Sequence, residues 1–220
     1  MGPLVQMIAL YAIPIIFAIT FHEAAHGYAA KYFGDDTAHR EGRISLNPLR
    51  HIDPIGTIAL PLAILVIDKL TGAGWPLFGW AKPVPVNFNN LRNPKRNMLW
   101  VAAAGPGANL LMAMGWASVV VLAQYLPRNY FTMPMVGMAA RGIEFNVVLM
   151  VLNLLPLPPL DGGRIAISLL PARMARSFAG IERFGIVILV VLLFSDVLGK
   201  VLMPLVLEVL HFIVKLFGLV

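Results

Sequence analysis

The chain has 220 residues, of which 59% belong to the set AVILMFWYC and only 13% are charged, with a mean hydropathy of +0.78. A soluble domain is roughly half apolar and about a quarter charged, so a soluble fold is excluded, and at ~20 residues per span there is room for about five membrane crossings. Absence of cysteine removes a disulfide scaffold, a thiolate metal site and a cysteine nucleophile together, while the net charge of +6, scattered over loops between apolar runs, reads as orientation charge and not as a nucleic-acid surface.

Residues 4–33 have no basic n-region and carry His22, Glu23, His26 and Lys31 where a signal peptide would place small cleavage residues, so a retained membrane helix is expected. Gly34-Asp35-Asp36 stops it. Residues 37–53, with Arg40, Arg43, Arg50 and the punctuation Asn47-Pro48, read as a polar loop in which His39 and His51 are solvated. Residues 55–67 are short for a crossing and broken by Pro61, and a Gly/Pro/Trp-rich stretch follows over 72–85. Further spans are expected at 97–124, 143–157, roughly 184–194 with flanking residues from Ser177, and 201–219. No repeat or linker divides the chain. The expectation is one integral-membrane domain over residues 1–220, an all-α polytopic bundle of about five transmembrane helices.

His22-Glu23-Ala24-Ala25-His26 lies in the last third of the first helix, where a charged side chain costs ~2.5–3.5 kcal/mol even on lenient insertion scales. Residues i and i+4 share a helix face, so both imidazoles can point at one ion, and the intervening glutamate can reach the water that the ion activates. A zinc hydrolase has this arrangement. Paired surface histidines would be the ordinary reading in a soluble helix, but in hydrocarbon unpartnered polar groups are costly and a metal gives them partners. Two imidazoles leave a tetrahedral ion incomplete. Among the carboxylates Asp161 stands out, because prolines at 156, 158 and 159 interrupt the helix before it and Gly162-Gly163 follow at once.

HEAAH in one membrane helix, AAAGPGAN (residues 102–109) in a second and NLLPLPPLDGGR (residues 153–164) in a third together resemble the site-2 protease family of intramembrane metalloproteases. The likeness spans nearly the whole chain. It implies one zinc ion bound by His22, His26 and Asp161, Glu23 as general base, and Asn153 in contact with substrate. It also implies that residues 78–86 form a small membrane-associated β region beside the site, with Gly79, Trp80, Val84 and Val86 as substrate contacts. The chain has no room for a PDZ or CBS domain, so the compact prokaryotic branch is the nearest likeness. The implied substrate is a single-span membrane protein, cut within or near its transmembrane segment.

Orientation follows without the family. For His26 and Asp161 to bind one ion their helices must run parallel, and residues 97–124 supply the single antiparallel crossing between them. Residues 55–67 are then re-entrant. That topology gathers Arg40, Arg43, Arg50, Lys82, Arg92 and most other basic residues on one side and leaves Arg128, Arg141 and Lys200 on the other. By the positive-inside rule the N-terminus lies outside and the metal near the cytoplasmic face of the cell membrane. The small residues 102–105, 107 and 108 and Asn109 are expected to serve helix packing, and Glu208 with His211, three apart on the last helix, to pair with each other. A metal-ion transporter and a catalytically silent scaffold are the rival classes. The one-sided ligands and the retained Glu23 argue against them.

Overall fold

The structure, a computed structural model, describes residues 3–72, 79–127, 129–195 and 197–219, with side chains described from Leu10 onward. α1 (Pro3–Tyr32) ends at Gly34, whose φ of 108° only glycine adopts readily. α2 (Thr37–Arg40) and a single 3-10 turn (Pro48–His51) follow. A π-helical turn (Pro54–Ala59) is capped by Asp53, whose Oδ1 accepts from the backbone N–H of Ile55 and Gly56 at 3.0 and 2.6 Å. It runs directly into α3 (Leu60–Thr71). Pro61 therefore does not break this segment, because it falls in the first turn of α3, where a missing donor does no harm. α4 (Pro94–Ala123), α5 (Thr132–Leu154), α6 (Asp161–Leu169), α7 (Ala172–Ala179), α8 (Gly185–Phe194) and α9 (Val197–Leu216) complete the order.

Among the described residues five helical stretches are long and apolar enough to cross a membrane: Pro54–Thr71, Pro94–Ala123, Thr132–Leu154, Ala172–Phe194 and Val197–Leu216. The all-α polytopic expectation holds.

α4 is the central helix. Its Asn109 meets Ala18 and His22 while its Val101 meets His26, so α4 is antiparallel to α1. Asn109 also bonds Asn146, and the Trp116 ring lies on Gly142, so α4 is antiparallel to α5 as well. α1 and α5 therefore run parallel. In lipid no hydrophobic driving force brings helices together, and close approach depends on small residues. Ala18, Ala24 and Ala30 on α1 and Ala102, Gly105, Ala113 and Ala117 on α4 are all buried. Trp80 N–H donates to Gly56 O at 3.1 Å, and a Cβ on Gly79 would come within 2.5 Å of that same oxygen. By Gly79 the chain is thus back beside the start of the 54–71 helix, which is the return that parallel α1 and α5 require.

The expected β region does not form. Of residues 78–86, Phe78 lies outside the described residues, and 79–86 run extended with no strand ladder among the described residues. Three of the donors that a strand would offer are already used. Backbone N–H groups of Trp80, Lys82 and Val84 donate to Gly56 O, His51 O and Glu23 Oε2 at 3.1, 2.9 and 2.8 Å. On the alternate edge Pro83 and Pro85 have no donor. The segment is a strap laid across the bundle. A second correction concerns His51, which is 2% exposed with Nε2 2.8 Å from Ser45 O, because it sits under the strap. His39 is exposed and lies 3.2 Å from Asp36.

Asp35 ties the strap's far end to α1. It is fully buried (0% exposed), and its oxygens accept from Thr37 N, Thr37 Oγ1, Asn90 Nδ2 and Asn87 N at 3.1, 2.5, 3.1 and 2.6 Å. Burial pushes this carboxyl up, but the donated hydrogen bonds outweigh burial and hold it below its ordinary 3.8. A depressed value contributes stability above 3.8 that disappears as the pH falls through the folded value. Asp35→Asn is expected to lower the apparent melting temperature at neutral pH, at a cost of ~1–3 kcal/mol for disrupting buried charge-assisted bonds. The same variant should flatten the acid limb of stability against pH, which thermal unfolding in detergent would measure.

Candidate metal centre

His22 and His26 lie one turn apart on α1, and Asp161 is the first residue of α6. α6 can start there because the chain turns sharply after α5. A Cβ on Gly162 would sit 2.3 Å from the carbonyl oxygens of Leu154 and Leu155, and one on Gly163 2.4 Å from Pro158 N. Only glycines let this first turn press against the end of α5. The reversal brings Asp161 Oδ2 to 3.1 Å from His22 Nε2 and 3.3 Å from His26 Nε2, with the two ring nitrogens 3.1 Å apart. All three residues are buried, and each offers one ligand atom within 4.8 Å of the others. A tetrahedral zinc shell with ~2.0–2.1 Å bonds has edges of roughly 3.3 Å. The three atoms have the spacing of one face of such a shell.

Hydrogen bonds fix what these atoms can offer. His22 Nδ1 stands 2.6 Å from Asn109 Oδ1, and His26 Nδ1 stands 2.7 Å from Val101 O. Carbonyl oxygens only accept, so both Nδ1 atoms carry a proton, and in the neutral rings both Nε2 atoms present lone pairs. The orientation of the Asn109 amide is itself determined. Its Nδ2 donates to Ala18 O at 3.2 Å and to Asn146 Oδ1 at 2.9 Å, and Asn146 Nδ2 donates to Gly142 O at 2.8 Å. Asn109 and Asn146 are each 0% exposed. Three acceptors therefore face one another, and Asp161 Oδ2 is buried with no hydrogen bond despite its two close nitrogens. Such a donor set fits a cation, and the polar residues of α4 and α5 hold it ready.

Glu23, half-buried on the same turn of α1, accepts from Val84 N–H of the strap through Oε2. The other expected site residues divide. Val84 is buried beside Gly27, where an added Cβ would lie 3.3 Å from Val84 Cγ1. Gly79 packs on Gly56, Trp80 O accepts from Thr57 Oγ1 at 2.8 Å, and Val86 packs against the small core of Ala30, Leu91 and Val101. Asn153 turns its amide back onto Leu149 O at 3.0 Å within α5. Asn109, expected to serve packing, instead orients a ring at the centre; Gly105, also expected to serve packing, and Asn146, which drew no notice as a residue, belong to the same surroundings. An asparagine deep in an apolar helix is the one sequence signal that could have pointed to Asn109 and Asn146.

Gly105 is the cradle of the two rings. A Cβ there would stand 2.4 Å from His26 Nε2 and 2.7 Å from His22 Cε1. Gly105→Ala is expected to displace the rings and abolish stoichiometric metal binding, read as metal content of the purified protein. Asn109→Leu leaves the donor atoms in place but frees the His22 ring, and should weaken metal affinity by about 10–100-fold in a competition titration against a chelator.

Residues 132–195 match the family model described as Peptidase family M50. "Putative zinc metalloprotease YwhC" of Bacillus subtilis is 38% identical over 215 residues, covering 94% of this chain and 90% of the relative. "Putative zinc metalloprotease Rip2" of Mycolicibacterium smegmatis is 32% identical over 189 residues, and that of Mycobacterium tuberculosis strain H37Rv 31% over 188, each covering 84% of this chain and 66% of the relative. No solved structure matches the chain significantly. Five apolar helices, a cation-ready donor set and relatives of this similarity converge: the chain belongs to the site-2 protease family, Peptidase family M50, and is a multi-pass membrane zinc metalloprotease.

Proposed function

We propose that the protein is an intramembrane endopeptidase that hydrolyses a peptide bond within or near the transmembrane segment of a single-span membrane protein. His22, His26 and Asp161 hold the zinc ion and Glu23 is the general base. The observation that carries this reading is the convergence of three buried acceptor atoms without a donor, with a glutamate on the same helical turn. Zinc supplies Lewis-acid polarisation of the scissile carbonyl and acidifies water. Glu23 is held by Val84 N–H through Oε2, which leaves Oε1 to take the proton from water and deliver it to the leaving amine. Enclosure by α1, α4 and α6 strengthens these interactions by lowering the local dielectric.

A helical substrate hides its carbonyls in i to i−4 bonds and must be extended before attack. The strap's inward edge is engaged at Trp80, Lys82 and Val84, but its outward edge carries the carbonyls of Ala81 and Pro85. An extended substrate would lie there and donate its own N–H groups. Parallel α1 and α5, together with the basic loops, support an N-terminus outside and a metal centre near the cytoplasmic side, within reach of cytosolic water.

Glu23→Gln is expected to retain one zinc per chain and lose cleavage of single-span substrates by at least ~100-fold, whereas Asp161→Ala loses both. Zinc retained together with undiminished cleavage in Glu23→Gln would overturn the assigned base, and a transporter or scaffold would show no cleavage in the unaltered protein. Gly79→Val, which forces the strap off Gly56, should keep zinc and raise KM for protein substrates. Cysteine introduced at position 93 is expected to react with an impermeant reagent only from the cytoplasmic side, and cysteine at position 125 only from outside.

A further inference from the structure

Glu208 and His211 of α9 do not pair with each other. Both are exposed, and neither has a hydrogen bond or ion pair with any described residue. Glu208 lies about 16 Å along the helix axis from Val197 and about 12 Å from Leu216, so it sits near the middle of a helix apolar enough to span the bilayer. Arg141 and Glu144, the other i, i+3 charged couple within a membrane helix, do pair with each other. Glu208 and His211 are left to find their partners outside the chain, since lipid offers them none.

Their placement is regular. Val201, Pro204, Glu208, His211 and Lys215 follow alternating steps of three and four residues, and all five are exposed. That spacing is an a/d seam of the kind that packs helices side by side. The buried residues of α9 that face the bundle core, Val206 and Ile213, lie on the opposite side of the helix. The seam therefore points straight away from the protein into lipid.

We infer that this seam is the contact face for a second copy of the chain, packed α9 against α9 about a two-fold axis along the membrane normal. Two copies inserted in one membrane share a topology, so their α9 helices are parallel. In parallel packing a residue at an a position faces its own counterpart and enters a hole whose rim includes the following d residue of its mate. Glu208 of each copy then meets His211 of the other, and one proton shared between carboxylate and imidazole satisfies both groups twice over. The patch is self-complementary, as an isologous interface must be. A substrate helix would have to bring both a donor and an acceptor at matching height to do the same, which is why the second copy is the favoured occupant. This inference does not depend on the assigned catalytic residues.

The chain has no cysteine, so single introduced cysteines report contacts cleanly. In phosphatidylcholine vesicles, Val201→Cys and Lys215→Cys are expected to cross-link into dimers on mild oxidation, while Leu205→Cys and Leu216→Cys, exposed but off the seam, are not. Dilution in lipid followed by energy transfer between labelled copies should show the dimer dissociation constant of Glu208→Leu and of His211→Leu raised about ten-fold, from the two symmetric interhelical bonds lost. Unchanged zinc content would show that each variant is folded. A protein that stays monomeric at every density, equal cross-linking off the seam, or a Glu208→Leu/His211→Leu double variant that dimerises as tightly as the parent would overturn the inference. So would protection of Lys215→Cys by an added single-span peptide in a protein that remains monomeric, which would assign the seam to substrate.

Discussion

Three electron pairs aimed at one point hold the key to this molecule. Two imidazoles whose protons are committed to carbonyl oxygens turn bare Nε2 atoms toward the same carboxylate oxygen, with separations of 3.1–3.3 Å. Acceptor against acceptor is repulsive, and at buried groups little solvent is present to relieve it. A cation turns the repulsion into attraction. The cost of assembling the uncompensated group is met by the hydrogen bonds behind it: Asn109 is pinned by Ala18 O and Asn146, and Asn146 by Gly142 O. Each link fixes the donor sense of the next, so the relay determines which nitrogen of His22 is free.

The remainder of the bundle makes that convergence sterically possible. α4 lies between two parallel helices, and glycine at position 105 leaves the volume that the rings of His22 and His26 occupy. At the other side Gly162 and Gly163 let α6 begin almost in contact with the last carbonyls of α5. Larger residues at these three places would separate the elements by more than the metal–ligand distance tolerates. The glycines thus set helix separation at the donor atoms, while Ala113 and Ala117 set it deeper in the core.

Irregular backbone within a membrane protein needs partners inside the structure, and the strap finds most of its own there. Gly56 O, His51 O and Glu23 take its N–H groups, and Arg43 and Thr57 take the carbonyls of Lys82, Pro83 and Trp80. A segment so engaged on one edge and so poor in donors on the other builds no sheet within the chain among the described residues. The extended shape survives; the ladder does not. Glu23 is both a partner of this backbone and a neighbour of the donor set, which mechanically couples the strap to the centre.

By itself the sequence determined the membrane class, the helical character and the two ends of the centre, because hydropathy and i, i+4 spacing are local properties, but it misplaced helix bounds, starting the span before Asp161 at residue 143 where α5 begins at Thr132. The polar turn at residues 22–26 and the Pro-rich approach to Asp161 were legible for the same reason, each being out of place in hydrocarbon. Only the tertiary structure decided the rest. The burial of His51, the turning of Asn109 onto His22, the rejection of a strand by residues 79–86 and the separation of Glu208 from His211 depend on what lies across a helix interface. A one-dimensional pattern says which face of a helix a residue occupies, but the neighbour on that face is chosen by packing between segments far apart in the chain.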